Sequence, residues 1–248
     1  MADQGNSSRR RFVKLCAATV AAVSSSSCLL THETATLKHY PRVRLVDRKG
    51  RDINVADLAS GQSYVFHYPY VSTPCFLINL DRPCNGGTQL RTENGDEYNW
   101  QGGVGPQHSV VAFSAICAHR MNYPAHQVSF INYRNSQTKF LDMNKQLVER
   151  SQVIYCCSEY SVYDPADGAR VLGGPALQPL AAIELVYDYD NDTLDAVGAY
   201  GGQLFDRFVE EFALKLTLEL GRTDIDMLIT DNSKVLPLEE YTRNQILC

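Results

Sequence analysis

The sequence predicts a mainly β fold, an antiparallel sandwich or barrel, with a helical extension in its C-terminal part. Three observations predict it: short apolar runs rich in β-branched and aromatic residues, turn chemistry between those runs, and a single stretch with helical apolar spacing. Taken in order, residues 29–39 read as a linker, and Val43-Arg44-Leu45-Val46 alternates as a strand does before a turn at Arg48-Lys49-Gly50-Arg51. Asn54 is placed to cap a short helix through Val55 to Leu58. Strands are expected at Ser63 to His67 and Cys75 to Leu80. Turns follow at Asn85-Gly86-Gly87 and Glu93-Asn94-Gly95-Asp96. Further strands are expected at Val110 to Phe113, Gln127 to Asn132 and Gln152 to Tyr155, with a polar excursion between the last two. Ile183 to Tyr187 and Leu194 to Val197 read as a hairpin around Tyr189-Asp190-Asn191-Asp192. Between Gln203 and Leu220 the residues Leu204, Phe205, Phe208, Val209, Phe212 and Leu216 share one helical face, which predicts an amphipathic helix packed on the β body.

The 248 residues are 44% hydrophobic and 21% charged, enough for one core or two small ones. A net charge of -5 and the lack of a basic face exclude a nucleic-acid partner. No apolar run long enough to span a bilayer lies beyond the N-terminal region. The eight cysteines are too sparse for a disulfide scaffold, and those at 117, 156 and 157 cluster as a site does.

The N-terminus reads as an address. Ser8-Arg9-Arg10-Arg11-Phe12-Val13-Lys14 precedes a small-residue apolar stretch, Leu15 to Val23, and the polar run Ser24 to Ser27. That order matches an export signal over residues 1–30, and the paired arginines resemble the twin-arginine type that exports folded proteins. A basic tail is the plainer reading. Cys28 sits in a poor lipobox, and the apolar stretch is short for a membrane anchor.

Two segments carry chemistry: Cys117-Ala118-His119, and Cys156-Cys157-Ser158-Glu159-Tyr160-Ser161-Val162-Tyr163-Asp164. They resemble the two ligand loops of the Rieske iron–sulfur family, Cys-x-His and Cys-x-x-His followed by Gly-Ser-x-Tyr-Asp. Gly173-Gly174-Pro175 resembles the family's glycine–proline loop over the cluster. The resemblance covers residues 105–200. It implies a Rieske-like β-sandwich or barrel with a small cluster-binding subdomain, preceded by a β portion over 31–104 and followed by the helical extension over 201–248. It also implies a [2Fe-2S] cluster held by two thiolates on one iron and two imidazoles on the other. Ser161 and Tyr163 then stand where hydroxyls bond a cluster sulfur and a ligand thiolate, which favours the reduced state.

One ligand departs from the pattern. Aligned without a gap, Cys117, His119 and Cys156 match, and Glu159 stands in the position of the second histidine. Asn122 and Ser158 then occupy positions where some members carry a disulfide. Starting from Cys157 instead puts Tyr160 in the histidine position, at the cost of a deleted residue. Three accounts are open: Glu159 ligates through oxygen, His108 or His126 or Cys157 supplies the missing donor, or the domain keeps the fold without a cluster.

Other residues have plainer readings. Adjacent Cys156 and Cys157 also suit small buried hydrophobes. Cys75 and Cys84 are a candidate disulfide or two thiols. His67 reads as a packed strand histidine, and Arg120 and Arg134 as surface charges. No phosphate-binding loop, dinucleotide fingerprint or zinc-protease helix is present. The function implied by the resemblance is a periplasmic or membrane-associated single-electron carrier, more an electron-transfer subunit of an oxidoreductase than a stand-alone enzyme. Its implied partners are a quinol-oxidising complex or a c-type cytochrome. The competing classes are a cluster-free docking subunit and a mononuclear zinc or iron site at Cys117, His119 and one of the paired cysteines.

Overall fold

The computed structural model describes residues 37–248, so the expected export signal lies outside the described residues. The strands are β1 (Lys38–Val46), β2 (Ser63–His67), β3 (Pro74–Asn79), β4 (Asn85–Arg91), β5 (Glu97–Gly102), β6 (Val110–Ser114), β7 (Ile131–Arg134) and β8 (Thr138–Leu141). They continue as β9 (Leu147–Arg150), β10 (Val153–Cys156), β11 (Ser161–Asp164), β12 (Arg170–Gly173), β13 (Ala182–Asp188), β14 (Thr193–Tyr200), β15 (Asn232–Lys234) and β16 (Leu236–Pro237). Helix α1 (Gln203–Leu220) precedes β15, and the single turn α2 (Leu238–Tyr241) follows β16. The fold is mainly β, as the sequence predicts. Among the described residues no helix is long and apolar enough to cross a membrane.

Eight strands form one sheet in the order β15-β1-β14-β13-β6-β3-β2-β16. All neighbours pair antiparallel except β1 and β15, which are parallel. Residues 232–237 join the two edges of this sheet. Asn232–Lys234 lie beside β1, and Leu236–Pro237 pair with Val65 and Tyr64 of β2. Between them Ser233 Oγ accepts from the His67 N–H at 3.0 Å and donates to the His67 carbonyl at 2.8 Å. The sheet is thereby nearly closed into a barrel, and little edge stays free.

The central strands are buried on both faces, which is why the sequence shows them as continuous apolar runs. In β3, Cys75 and Leu77 enter one core with Phe66, Ala112 and the α1 residues Phe205 and Phe208. Phe76 and Ile78 point the other way, into a second core with Phe113, Trp100, Cys117, Cys156 and Tyr163. Cys75 and Cys84 lie in the first and second core respectively and are both free thiols. No disulfide joins them.

Helix α1 has the predicted bounds, and its apolar stripe packs into the first core. Gly221 ends it in the left-handed region at φ 64°, its N–H donating to the Thr217 carbonyl. Asn54 is the N-cap residue of a 3₁₀ turn at Val55–Asp57, but its side chain makes no cap; it donates instead to the Asp192 carbonyl.

Three expectations change. Asn85-Gly86-Gly87 is not a turn but the start of β4, where Gly86 lies so close to the Gln101 carbonyl that no Cβ fits. The strand expected at Gln127 to Asn132 is displaced to Ile131–Arg134. The polar excursion folds as the β8–β9 hairpin. Across the sequence β1 pairs with β14, and the C-terminal segment supplies β15 and β16 to the same sheet.

Phe208 is fully buried and meets the Tyr123 ring edge-on at 5.0 Å. Replacing it with alanine leaves a cavity where α1 meets the barrel. Phe208→Ala is expected to lower unfolding stability by about 3–5 kcal/mol in a denaturant titration, with the denaturant slope unchanged.

Candidate metal centre

A second, four-stranded sheet in the order β12-β11-β10-β7 presents one of the two loops. Cys156 ends β10 and pairs with Ser161 at the start of β11, so residues 157–160 form the hairpin tip. Tyr160 adopts φ 63° there. The other loop follows β6. Its backbone turns back on itself through Cys117 N–H to the Asn122 carbonyl at 2.8 Å and Met121 N–H to the Cys117 carbonyl at 2.9 Å.

The loops meet at their cysteines. Cys117 and Cys156 are each 1% exposed, and each thiol shifts the ionisation of the other. The backbone N–H groups of His119 and Arg120 favour the charged form of Cys117, and those of Ser158 and Glu159 that of Cys156. Tyr163, fully buried on β11, sets its hydroxyl 3.3 Å from Cys117 Sγ and accepts from the Ala118 N–H at 3.2 Å. That hydroxyl fixes the spacing of the loops.

These donors have an electrostatic result. The neighbouring Cys156, opposed by burial but reinforced by Tyr163 and the backbone N–H groups, holds Cys117 well below the ordinary thiol range. Cys156 moves up, because Cys117 beside it and burial both disfavour a second thiolate.

The other two predicted ligands form a second pair. His119 Nδ1 lies 3.4 Å from Glu159 Oε2, yet it is buried without a hydrogen-bond partner. Glu159 is half-exposed and its other oxygen accepts from Arg120 Nε at 3.0 Å. Ser161 is buried with its Oγ also unpartnered. Among the described residues no group of three His, Cys, Asp or Glu side chains is gathered to hold a single metal ion.

Four other candidates lie elsewhere. His108 Nδ1 bonds the Gly103 carbonyl and His126 Nδ1 the Tyr241 carbonyl. Tyr160, the ligand position of the gapped alignment, points its ring to solvent at 60% exposure. Cys157 is corrected from a ligand candidate to a structural one: it forms a disulfide with Cys248. Strand alternation causes this, since Cys156 faces the second core and Cys157 the opposite side, with Arg134 Nη2 2.9 Å from its sulfur. The role of Cys248 was missed in the sequence, although an odd cysteine beside Cys156 was the available signal.

The loop Gly173-Gly174-Pro175 covers the hairpin. Gly174 has φ 85°, and a Cβ there would overlap the Tyr160 carbonyl and Ser161 Cα. Only glycine lets this loop lie against the backbone that carries Ser161.

The same two loops thus carry two buried cysteines that meet and an imidazole paired with a carboxylate. Unpartnered Ser161 Oγ and His119 Nδ1 are buried polar atoms that the protein itself leaves unsatisfied.

No family model matches the sequence. In structure the chain is similar to the soluble domain of the Rieske protein II from Sulfolobus acidocaldarius, with a TM-score of 0.42 and 24% identity over 64% of this chain and 78% of that one.

The Cys157–Cys248 bond closes a sequence separation of 91 residues. Cys248→Ser is expected to lower stability by about 2–5 kcal/mol. Adding a reductant should then destabilise the natural chain by a similar amount and leave the variant unchanged, as read by denaturant midpoints.

Proposed function

We propose that this protein is a Rieske-type [2Fe-2S] electron carrier in which a carboxylate, Glu159, stands in place of the second histidine. The observation that carries the reading is the meeting of Cys117 and Cys156 from two separate loops as a buried pair, with the Tyr163 hydroxyl 3.3 Å from Cys117 Sγ and the His119–Glu159 pair on the same two loops. When bound, the cluster supplies a site that accepts and releases one electron.

The chain's own residues do the rest. Cys117 and Cys156 would hold one side of it and His119 and Glu159 the other. Tyr163 Oη sits beside the Cys117 sulfur and Ser161 Oγ is free to donate, and donors to sulfur favour the reduced state. Glu159 acts against them, since it adds negative charge where an imidazole adds none. Its ion pair with Arg120 offsets part of that charge. Burial of the thiols excludes water, while half-exposed Glu159 and partly exposed His119 give the site its opening toward a partner.

A quinol-oxidising complex or a c-type cytochrome is the proposed partner class, and export across the bacterial inner membrane with the cofactor already in place is the proposed route. The paired Arg9 and Arg10 support that route.

Anaerobically purified protein is expected to hold two irons and two acid-labile sulfides per chain, with Cys117→Ser and Cys156→Ser each abolishing both. A colourless protein without sulfide sinks the reading in favour of a cluster-free docking subunit, and metal without sulfide favours a mononuclear site. Tyr163→Phe should lower the reduction potential by on the order of 60 mV, the equivalent of one hydrogen bond at about 1.4 kcal/mol. Glu159→His should raise it, as read by spectroelectrochemical titration.

A further inference from the structure

Residues 243–248 form a strap that follows α2 and runs beside the segment leading into β7. Arg243 N–H donates to the His126 carbonyl at 3.0 Å, Ser129 N–H to the Asn244 carbonyl at 2.8 Å, and Ile246 N–H to the Ser129 carbonyl at 2.9 Å. Asn132 Nδ2 donates to the Ile246 carbonyl at 2.9 Å, and Arg134 Nη1 to the Cys248 carbonyl at 3.0 Å. The Cys157–Cys248 bond fastens the strap to the hairpin tip.

Apolar burial does not hold this segment. All six of its residues are exposed, Leu247 at 68%, whereas Thr242 just before it is 3% exposed. The strap covers Ser129 and Asn132, which are fully buried. A segment tied only by hydrogen bonds at the surface opens at far lower free energy than a packed core. The covalent bond is what keeps its far end in place.

That bond is also within reach of solvent. Cys248 is exposed and Cys157 half-buried, while Cys75, Cys84, Cys117 and Cys156 are buried. Exposed disulfides are the ones that exchange readily with thiols. The two sulfurs differ in their surroundings: Cys157 Sγ has Arg134 Nη2 at 2.9 Å and the Cys248 N–H at 3.0 Å. We propose that the Cys157–Cys248 bond is a redox latch, opened by a dithiol in the folded protein, which releases the strap and uncovers Ser129 and Asn132. One sulfur of the dithiol, as thiolate, attacks the exposed Cys248 Sγ. The S–S bond breaks, and its electron pair passes to Cys157 Sγ, which takes a proton. The second sulfur of the dithiol then gives up its proton and displaces Cys248 as a thiol. The reductant departs as a disulfide, having delivered two electrons and two protons.

The test uses the full chain, oxidised in air and kept free of denaturant, with dithiothreitol as the dithiol and iodoacetamide as the label. Dithiothreitol is expected to open Cys157 and Cys248 to alkylation, as located by peptide mass, with Cys75 and Cys84 unlabelled and near-ultraviolet circular dichroism unchanged. Amide hydrogen exchange at Ser129 and Ile246 should then quicken roughly tenfold, the loss of one hydrogen bond, while Cys75 to Ile78 of β3 keep their protection. Cys248→Ser should exchange fast at the same two amides without reductant. These readouts involve neither iron nor sulfide, so they stand or fall apart from the electron-carrier reading. The latch is overturned if Cys157 and Cys248 are alkylated without reductant, or if the bond yields only together with labelling of Cys75 and Cys84. Equal exchange at Ser129 and Ile246 before and after reduction overturns it as well.

Discussion

The double burial of β2, β3 and β6 is the constraint on which the rest of the molecule depends. A strand covered on both faces has no solvent side, so every side chain must find apolar company and every backbone group a partner in the sheet. Here that requirement divides the protein into two cores separated by one sheet. The α1 helix serves the first, and the β4–β5 hairpin and the four-stranded sheet serve the second. Cys117 and Cys156 are members of that second core, which fixes their positions.

Two sulfurs in contact inside a low-dielectric core set up a conflict. Ionising one makes ionising the other costly, yet both are surrounded by N–H groups that favour the charged form. The pairing of His119 with Glu159 is looser: one partner is half-exposed and shared with Arg120, so this side of the site is governed by solvent as much as by protein.

The legible parts of this sequence were those decided locally. Helix α1 was readable because its stripe repeats within its own length, and the two loops that bring Cys117 and Cys156 together because their residues lie within a few positions of one another. Long-range pairing was not. Nothing near Asn85 reveals that Gly86 will lie against Gln101, so a run of turn formers was read as a turn. Cys75 and Cys84 are close in sequence yet belong to different cores, which their spacing does not disclose. Cys157 and Cys248 are the reverse case, distant in sequence and bonded in space.

Closure of the large sheet by residues 232–237 has a consequence for how the chain is made. A ribosome delivers β1 and β2 early, but the segment that joins their two edges arrives nearly two hundred residues later. Until then both edges are open hydrogen-bonding templates, able to recruit a neighbouring nascent chain. The protein is therefore most exposed to misassembly during its own synthesis, and it becomes safe only once this late segment has zipped the seam.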